Sequence, residues 1–210
     1  MTLVDLTSLG DHIREARLRS GLSLRALAGE VGVSASMISQ IETGKSQPSV
    51  STLYAITTAL GISIQDVFDG ALQDPAAQAV GDGEPSSSML SALGSSRGRR
   101  IGPIVRRAER SGLTLDTGVV WERLGELPPH SVDFLLVTYP PGGTSSSTGG
   151  LMRHPGAEFG FLLSGELKLT LGFEEITLAP GDSFSFESTT PHSYRNDTDA
   201  PAVGVWFVLE

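Results

Sequence analysis

Between Leu22 and Pro48 the chain reads LSLRALAGEVGVSASMISQIETGKSQP, and no other stretch restricts its folding so narrowly. Leu24, Leu27, Ala28 and Val31 recur at the interval of a helix with one apolar face. Ile38 and Ile41 repeat the pattern in a second short run. Ser23 and Ser34 each stand before an apolar run, where a side-chain oxygen can accept from the exposed N–H groups of a helix's first turn. Gly32, lacking Cβ, permits a tight reversal. Two short helices joined at Gly32-Val33-Ser34 are therefore expected.

The flanking sequence completes a bundle. Leu9 to Arg19 reads as a preceding helix with Leu9, Ile13 and Ala16 on one face, ended by Ser20-Gly21. Arg14, Arg17 and Arg19 lie on or near its exposed side, where they either solvate the surface or meet phosphates. Pro48-Ser49 opens a helix from Val50 to Leu60 that buries Leu53, Ile56 and Leu60 and stops at Gly61. Ser63 starts a short helix carrying Ile64, Val67 and Phe68. The expected result is an all-α unit of five helices over residues 8–69.

Ser23, Leu27-Ala28, Gly32-Val33-Ser34, Ile38-Ser39, Ile41-Glu42 and Gly44 fall where the phage Cro/repressor-type, or XRE, helix-turn-helix domain has its typical residues. The resemblance runs from about Ile13 to Phe68. It implies that the helix from Ala35 to Glu42 lies in the major groove of a double-stranded DNA operator. Ile38 and Ile41 face inward, which leaves Ser34, Ser36, Met37, Ser39 and Gln40 as outward candidates. Gln40 suits a bidentate pair with adenine, serine hydroxyls reach bases or phosphates, and Met37 suits a thymine methyl. Arg25, Lys45 and Gln47 suit contacts to the DNA backbone.

Charge is the first difficulty for that reading, because the chain carries a net −9. Most of the acid lies elsewhere. Residues 1–70 hold five Lys/Arg against seven Asp/Glu, residues 71–100 hold three of each, and residues 101–210 hold seven against fourteen. The helical unit is still not basic, so non-specific phosphate attraction is weak and useful affinity calls for two copies on one duplex. A homodimer or higher even oligomer is expected. The chain has no cysteine, which excludes disulfides and thiolate metal sites. No run approaches a membrane span, and the first residues lack the apolar core of a signal peptide. A cytoplasmic protein without membrane association is expected.

Residues 70–100 change character. Ser86-Ser87-Ser88, Ser95-Ser96, Pro75, Pro85 and several glycines offer little to bury, so a mobile linker is expected, with a small basic cluster at Ser96–Arg100. From residue 101 the apolar period becomes two. Runs at 119–124, 132–139, 159–163, 166–171, 175–178, 183–186 and 203–209 read as strands, separated by turns such as Pro140-Pro141-Gly142-Gly143, Ser164-Gly165 and Pro180-Gly181-Asp182. Many short strands with regular turns imply a sandwich or small barrel.

Within this region, His154-Pro155-Gly156-Ala157-Glu158 followed by Gly165, and Gly181 followed by His192 and Asn196, resemble the two motifs of the cupins. The resemblance implies an all-β jelly-roll barrel over residues 101–210 that serves for dimerisation and effector binding. Cupins of this kind hold a divalent metal through two histidines, a glutamate and a third histidine. Met152 stands at the first position, so His154, Glu158 and His192 remain. Two histidines and a carboxylate form a facial set that leaves positions open. One divalent ion (Fe, Mn, Zn or Ni) is the cofactor implied, while other cupin-bearing regulators hold a small effector without metal. His12 and His130 are read as incidental. The Thr144–Thr148 run reads as a flexible loop that can gate the pocket mouth.

Two functions compete, with a binding module whose DNA activity has decayed as a third option. One is a sequence-specific transcriptional regulator whose cupin domain senses an unknown small molecule or metal. The other is a mononuclear non-haem iron oxygenase resembling the hydroxypropylphosphonate epoxidases, which also join a helix-turn-helix-like domain to a cupin and keep one histidine of the first pair. The full pattern of small polar residues outside and isoleucines inside the second helix favours the regulator, and an enzyme is not expected.

Overall fold

The computed structural model describes residues 2–3, 6–70, 104–125 and 132–209. The linker expected over 70–100 lies outside the described residues save for Gly70, as do the Ser96–Arg100 cluster and His130.

Five helices form as expected: α1 (Leu6–Arg19), α2 (Leu24–Val31), α3 (Ala35–Glu42), α4 (Val50–Leu60) and α5 (Ile64–Gly70). Serines set three of their starts. The hydroxyls of Ser23, Ser34 and Ser49 accept from the amides of Ala26, Met37 and Thr52 at 3.1, 3.1 and 3.2 Å, satisfying donors that have no partner inside a helix. Gly32 and Gly61 close α2 and α4 in the left-handed conformation, at φ 77° and 63°. Leu9, Ile13, Leu27, Ile38, Ile41, Leu53, Ile56, Ile64 and Phe68 are buried together at the centre.

Helix α1 crosses the end of α3 at close range. A Cβ on Gly10 would fall 2.5 Å from the Ile41 carbonyl oxygen, so only glycine fits. At the same crossing Arg17 Nε and Nη2 donate to Glu42 Oε1 and Oε2 at 2.5 and 2.9 Å, and Nη1 donates to the Leu22 carbonyl at 2.8 Å. Arg17 is therefore buried, not on the exposed side where helical spacing put it. Its carboxylate partner lies 25 residues away, beyond the reach of any local pattern.

Ten strands form among the described residues: β1 (Thr2–Leu3), β2 (Ser111–Thr114), β3 (Val120–Gly125), β4 (Val132–Tyr139), β5 (Ala157–Ser164), β6 (Leu167–Leu171), β7 (Glu174–Leu178), β8 (Ser183–Glu187), β9 (His192–Arg195) and β10 (Ala202–Leu209). One sheet runs β1-β2-β3-β4-β10-β5-β8 and faces a second of order β7-β6-β9. All pairs are antiparallel except β1 with β2. Strands β1, β2 and β9 have no counterpart among the sequence expectations. Each is four residues or shorter, and β9, His-Ser-Tyr-Arg, carries too little apolar character to announce itself. Strands β4 and β10 alternate regularly between buried and half-buried or exposed residues, the period-two pattern of a sheet with one face on the core. Gly160 has no side chain because Phe184 lies across it: a Cβ would sit 2.1 Å from that ring.

The expected loop at Thr144–Thr148 is anchored. Ser145 and Ser146 are buried, the Ser145 amide donates to the Tyr194 carbonyl, and the Tyr194 amide donates to Ser145 Oγ, both at 2.9 Å. The segment runs beside β9 and closes one end of the barrel. Helix α4 packs over that end, so the two domains touch. The Ser51 amide donates to the Ser145 carbonyl at 2.9 Å, the Asp116 amide to the Pro48 carbonyl at 3.0 Å, and Gln65 Nε2 to the Val132 carbonyl at 2.7 Å.

Candidate nucleic-acid interface and candidate metal centre

Helix α3 presents its two faces as the sequence predicts. Ile38 and Ile41 are fully buried. Ser34, Ser36, Gln40, Arg25 and Lys45 are exposed, and Met37, Ser39 and Gln47 are half-buried. Ser34 caps the helix, so its oxygen is committed to the Met37 amide while its hydroxyl hydrogen remains available to donate. Lys45 follows the last turn, where its amide donates to the Gln40 carbonyl at 2.8 Å. The Arg17–Glu42 pair fixes the far end of the helix against α1. Glu42 holds Arg17 protonated: the hydrogen bond raises the guanidinium's pKa, burial opposes it, and the carboxylate charge adds to the rise. A short helix capped at one end and pinned at the other is a rigid platform for its outward side chains, which is what base reading requires.

The three expected ligands converge inside the barrel. His154 comes from the approach to β5, Glu158 from β5 and His192 from the start of β9. Their ligand atoms all lie within 4.8 Å of one another, and all three residues are buried. Glu158 Oε1 is 2.7 Å from His154 Nε2 and 2.9 Å from His192 Nε2. The second contact is not aligned as a hydrogen bond, so among the described residues His192 Nε2 is a buried nitrogen without a hydrogen-bond partner. Glu158 Oε2 accepts from the Tyr194 hydroxyl at 2.7 Å.

The outer nitrogens decide what the inner ones offer. His154 Nδ1 lies 3.1 Å from the Pro155 carbonyl and His192 Nδ1 lies 2.7 Å from the Thr190 carbonyl. A main-chain carbonyl demands a donor, so each ring is placed to donate from Nδ1 and turns Nε2, the atom free to act as a ligand, toward Glu158. Burial pushes the Glu158 carboxyl up, but contact with the imidazoles of His154 and His192, and the positive charge they can carry, outweigh it and bring the pKa down to about 2. The carboxylate is therefore ionised at neutral pH. Two lone pairs and a carboxylate facing one point need a positive charge between them, supplied by added protons or by a cation. The residues present thus fit a divalent ion, and the donor set of two imidazoles and one carboxylate suits Fe, Mn, Zn or Ni. Met152, in place of a further histidine, lines the same pocket and is bridged to His192 through the main chain.

Sequence reasoning missed the aromatic surround. Tyr139 and Tyr194 are buried beside the cluster, and their hydroxyls are held protonated first by burial and then by the charge of Glu158. Trp121, Trp206 and Tyr54 complete the walls. Tyr54 comes from α4, and nothing in its own segment distinguishes it from the other buried residues of that helix.

Comparison with known proteins agrees with both halves. The helix-turn-helix family HTH_3 matches residues 13–67, and the cupin family Cupin_2 matches residues 135–208. The HTH-type transcriptional regulator PuuR of Escherichia coli K12 is 28% identical over 187 residues, covering 89% of this chain and 86% of that protein. The structure of an HTH_3 family transcriptional regulator from Vibrio cholerae shares the fold at a TM-score of 0.64 and 21% identity, over 98% of this chain and 97% of that one. Hydroxypropylphosphonic acid epoxidase from S. wedmorenis aligns over 98% of this chain and 99% of its own at 20% identity, with a TM-score of 0.44. The chain therefore carries a helix-turn-helix domain matching HTH_3 followed by a cupin domain matching Cupin_2, and along most of its length it is similar to the HTH-type transcriptional regulator PuuR.

Proposed function

We propose that this protein is a sequence-specific transcriptional regulator that reads an operator with α3 and senses a small molecule or a metal ion in its barrel. The observation that carries the reading is α3 itself, with isoleucines inside, small polar side chains and Gln40 outside, and both ends fixed. Gln40, Ser34, Ser36, Ser39 and Met37 are assigned to base edges and nearby phosphates, and Arg25, Lys45 and Gln47 to the DNA backbone. The working units are residues 8–69 for DNA binding, 70–100 as the connection, and 101–210 for sensing and pairing, in the cytoplasm.

Dimerisation fits the outer face of the larger sheet. Phe134, Phe207 and Phe159 sit side by side in register across β4, β10 and β5. Phe134 stacks on Phe207 at 4.3 Å, and Phe159, Phe161, Leu163, Phe207 and Leu209 are each more than 40% exposed. Apolar side chains gathered on one sheet face are the usual mark of a protein contact. A second copy placed there offsets the weak phosphate attraction of each acidic chain, with half-sites about 34 Å apart.

In the barrel, His154, Glu158 and His192 would hold one divalent ion, which when bound supplies open coordination positions for a ligand. The chain's own residues orient the imidazoles through the Pro155 and Thr190 carbonyls, keep Glu158 ionised and exclude water with aromatic walls. The same donor set supports the alternative of an iron oxygenase. Selection of bound fragments from a genomic library, with footprinting in the presence and absence of Fe, Mn, Zn or Ni, separates the two. Discrete protected sites are expected. Absence of protection under every condition, together with oxygen consumption that tracks iron content, would replace the regulator with the enzyme.

A further inference from the structure

We infer that the barrel's ligand site is built from both domains, with α4 of the DNA-reading domain as its roof, so that a small organic molecule can fill the aromatic-walled space beneath Tyr54 only when α4 lifts away. This rests on the reading of the barrel as the sensing domain. Val50 and Tyr54, one helical turn apart, point from α4 into the pocket and line it together with Trp121, Met152 and Glu158. Both are buried, at 2% and 4% exposure. The Tyr54 ring lies flat on His154, with centroids 4.2 Å apart and planes 5° from parallel, and meets Trp121 edge-on at 5.7 Å. A residue of the DNA-reading domain is thus in contact with one of the three candidate metal ligands.

The seat is held by polar contacts that have no reason to form unless the helix belongs there. The Ser51 amide, in the first turn of α4 where amides lack helical partners, finds its acceptor in the Ser145 carbonyl of the barrel. The Arg123 guanidinium stands 5.6 Å over the Phe68 ring of α5.

Size then decides what the closed site admits. The space left under Tyr54 is about 20 Å³, enough for one water molecule or one ion. Pockets for organic ligands are larger by more than tenfold, roughly 300–1,000 Å³. One water molecule or ion fits in this space beside Glu158, and an organic molecule that fills it must displace Val50 and Tyr54. Leu53, Ile56 and Leu60 of the same helix are locked into the helical core, so the roof cannot move without the reading head. Pocket occupation and head position are therefore linked, and the linkage runs in both directions.

Both tryptophans of the chain, Trp121 and Trp206, line this pocket, which makes acrylamide, a five-heavy-atom quencher, a direct probe of entry. Quenching is measured for the full chain, for Tyr54→Ala and for Tyr54→Phe, beside hydrogen exchange of the Ser51 amide, with and without Zn²⁺ alone. Low quenching and a protected Ser51 amide are expected in the unsubstituted protein, Zn²⁺ leaving both unchanged. Tyr54→Ala is expected to raise quenching severalfold and speed Ser51 exchange by about tenfold or more, and Tyr54→Phe to stay within about twofold of the unsubstituted protein. A Ser51 amide that exchanges as fast as an open first-turn amide in the unsubstituted protein overturns the inference, whether or not Tyr54→Ala folds. Equal quenching of Tyr54→Ala and the unsubstituted protein does the same. Neither measurement uses DNA, so loss of the roof and loss of the regulator reading give separate signatures.

Discussion

The helical domain and the barrel reach their folded states by different routes. In the helical domain the decisive signals are local: Ser23, Ser34 and Ser49 cap within three residues, and Gly32 and Gly61 stop helices where they stand. In the barrel the decisive contacts are distant. Strand β10, at 202–209, pairs with β4 at 132–139 and β5 at 157–164. The candidate sites follow suit. The candidate reading surface is one helix and its neighbours, contiguous in sequence, whereas the candidate metal cluster exists only once β5 and β9 are brought together. The contrast teaches that a site written in one stretch tolerates a loosened fold better than a site assembled from strands.

Three measurements test that contrast, from the largest expected effect to the smallest. The strongest exception to it is the long-range Arg17–Glu42 pair, which fastens α1 to α3. Glu42→Ala leaves a buried guanidinium without its carboxylate and is expected to cost about 3 kcal/mol in urea unfolding. A loss below about 1 kcal/mol would show that the helical domain stands on local signals alone. Next, a divalent ion supplied at roughly 100 times its dissociation constant is expected to stabilise the protein by about 2.7 kcal/mol, read as a rise in thermal midpoint. His192→Ala should remove the effect, and an undiminished rise in that variant refutes the assigned ligand set. Last, Gln40→Ala is expected to cost about 2 kcal/mol of discrimination at one base position, while Lys45→Ala weakens binding to all sequences alike and lowers the salt slope by about one. Identical behaviour of the two variants in a binding-site selection would dissolve the distinction between reading and positioning residues.

Legibility in the sequence tracks this difference residue by residue. The bounds of α3 and α4 follow directly from caps and apolar period. His154, Glu158 and His192 were recognisable through their motif spacing, and the structure brings all three within one small volume. Arg17 was misplaced because helical spacing reports which face a residue occupies, not whether a partner such as Glu42 waits in another helix. Strand β9 escaped notice because its burial comes from closure of the barrel and not from its own hydrophobicity. The Thr144–Thr148 segment looked mobile because serine and threonine favour loops; the main-chain bonds that anchor it to β9 have no sequence signature.

By itself the sequence determined the two fold classes, the helix that faces outward and the three residue types that can hold a cation, because these rest on short-range geometry and fixed chemical valence. Only the tertiary structure decided that α4 covers the barrel, that Tyr54 lies on His154 and that the pocket beneath has room for little more than an ion. Those facts depend on how two surfaces, far apart along the chain, exclude water and fit one another, and neither surface carries the other's shape in its own residues.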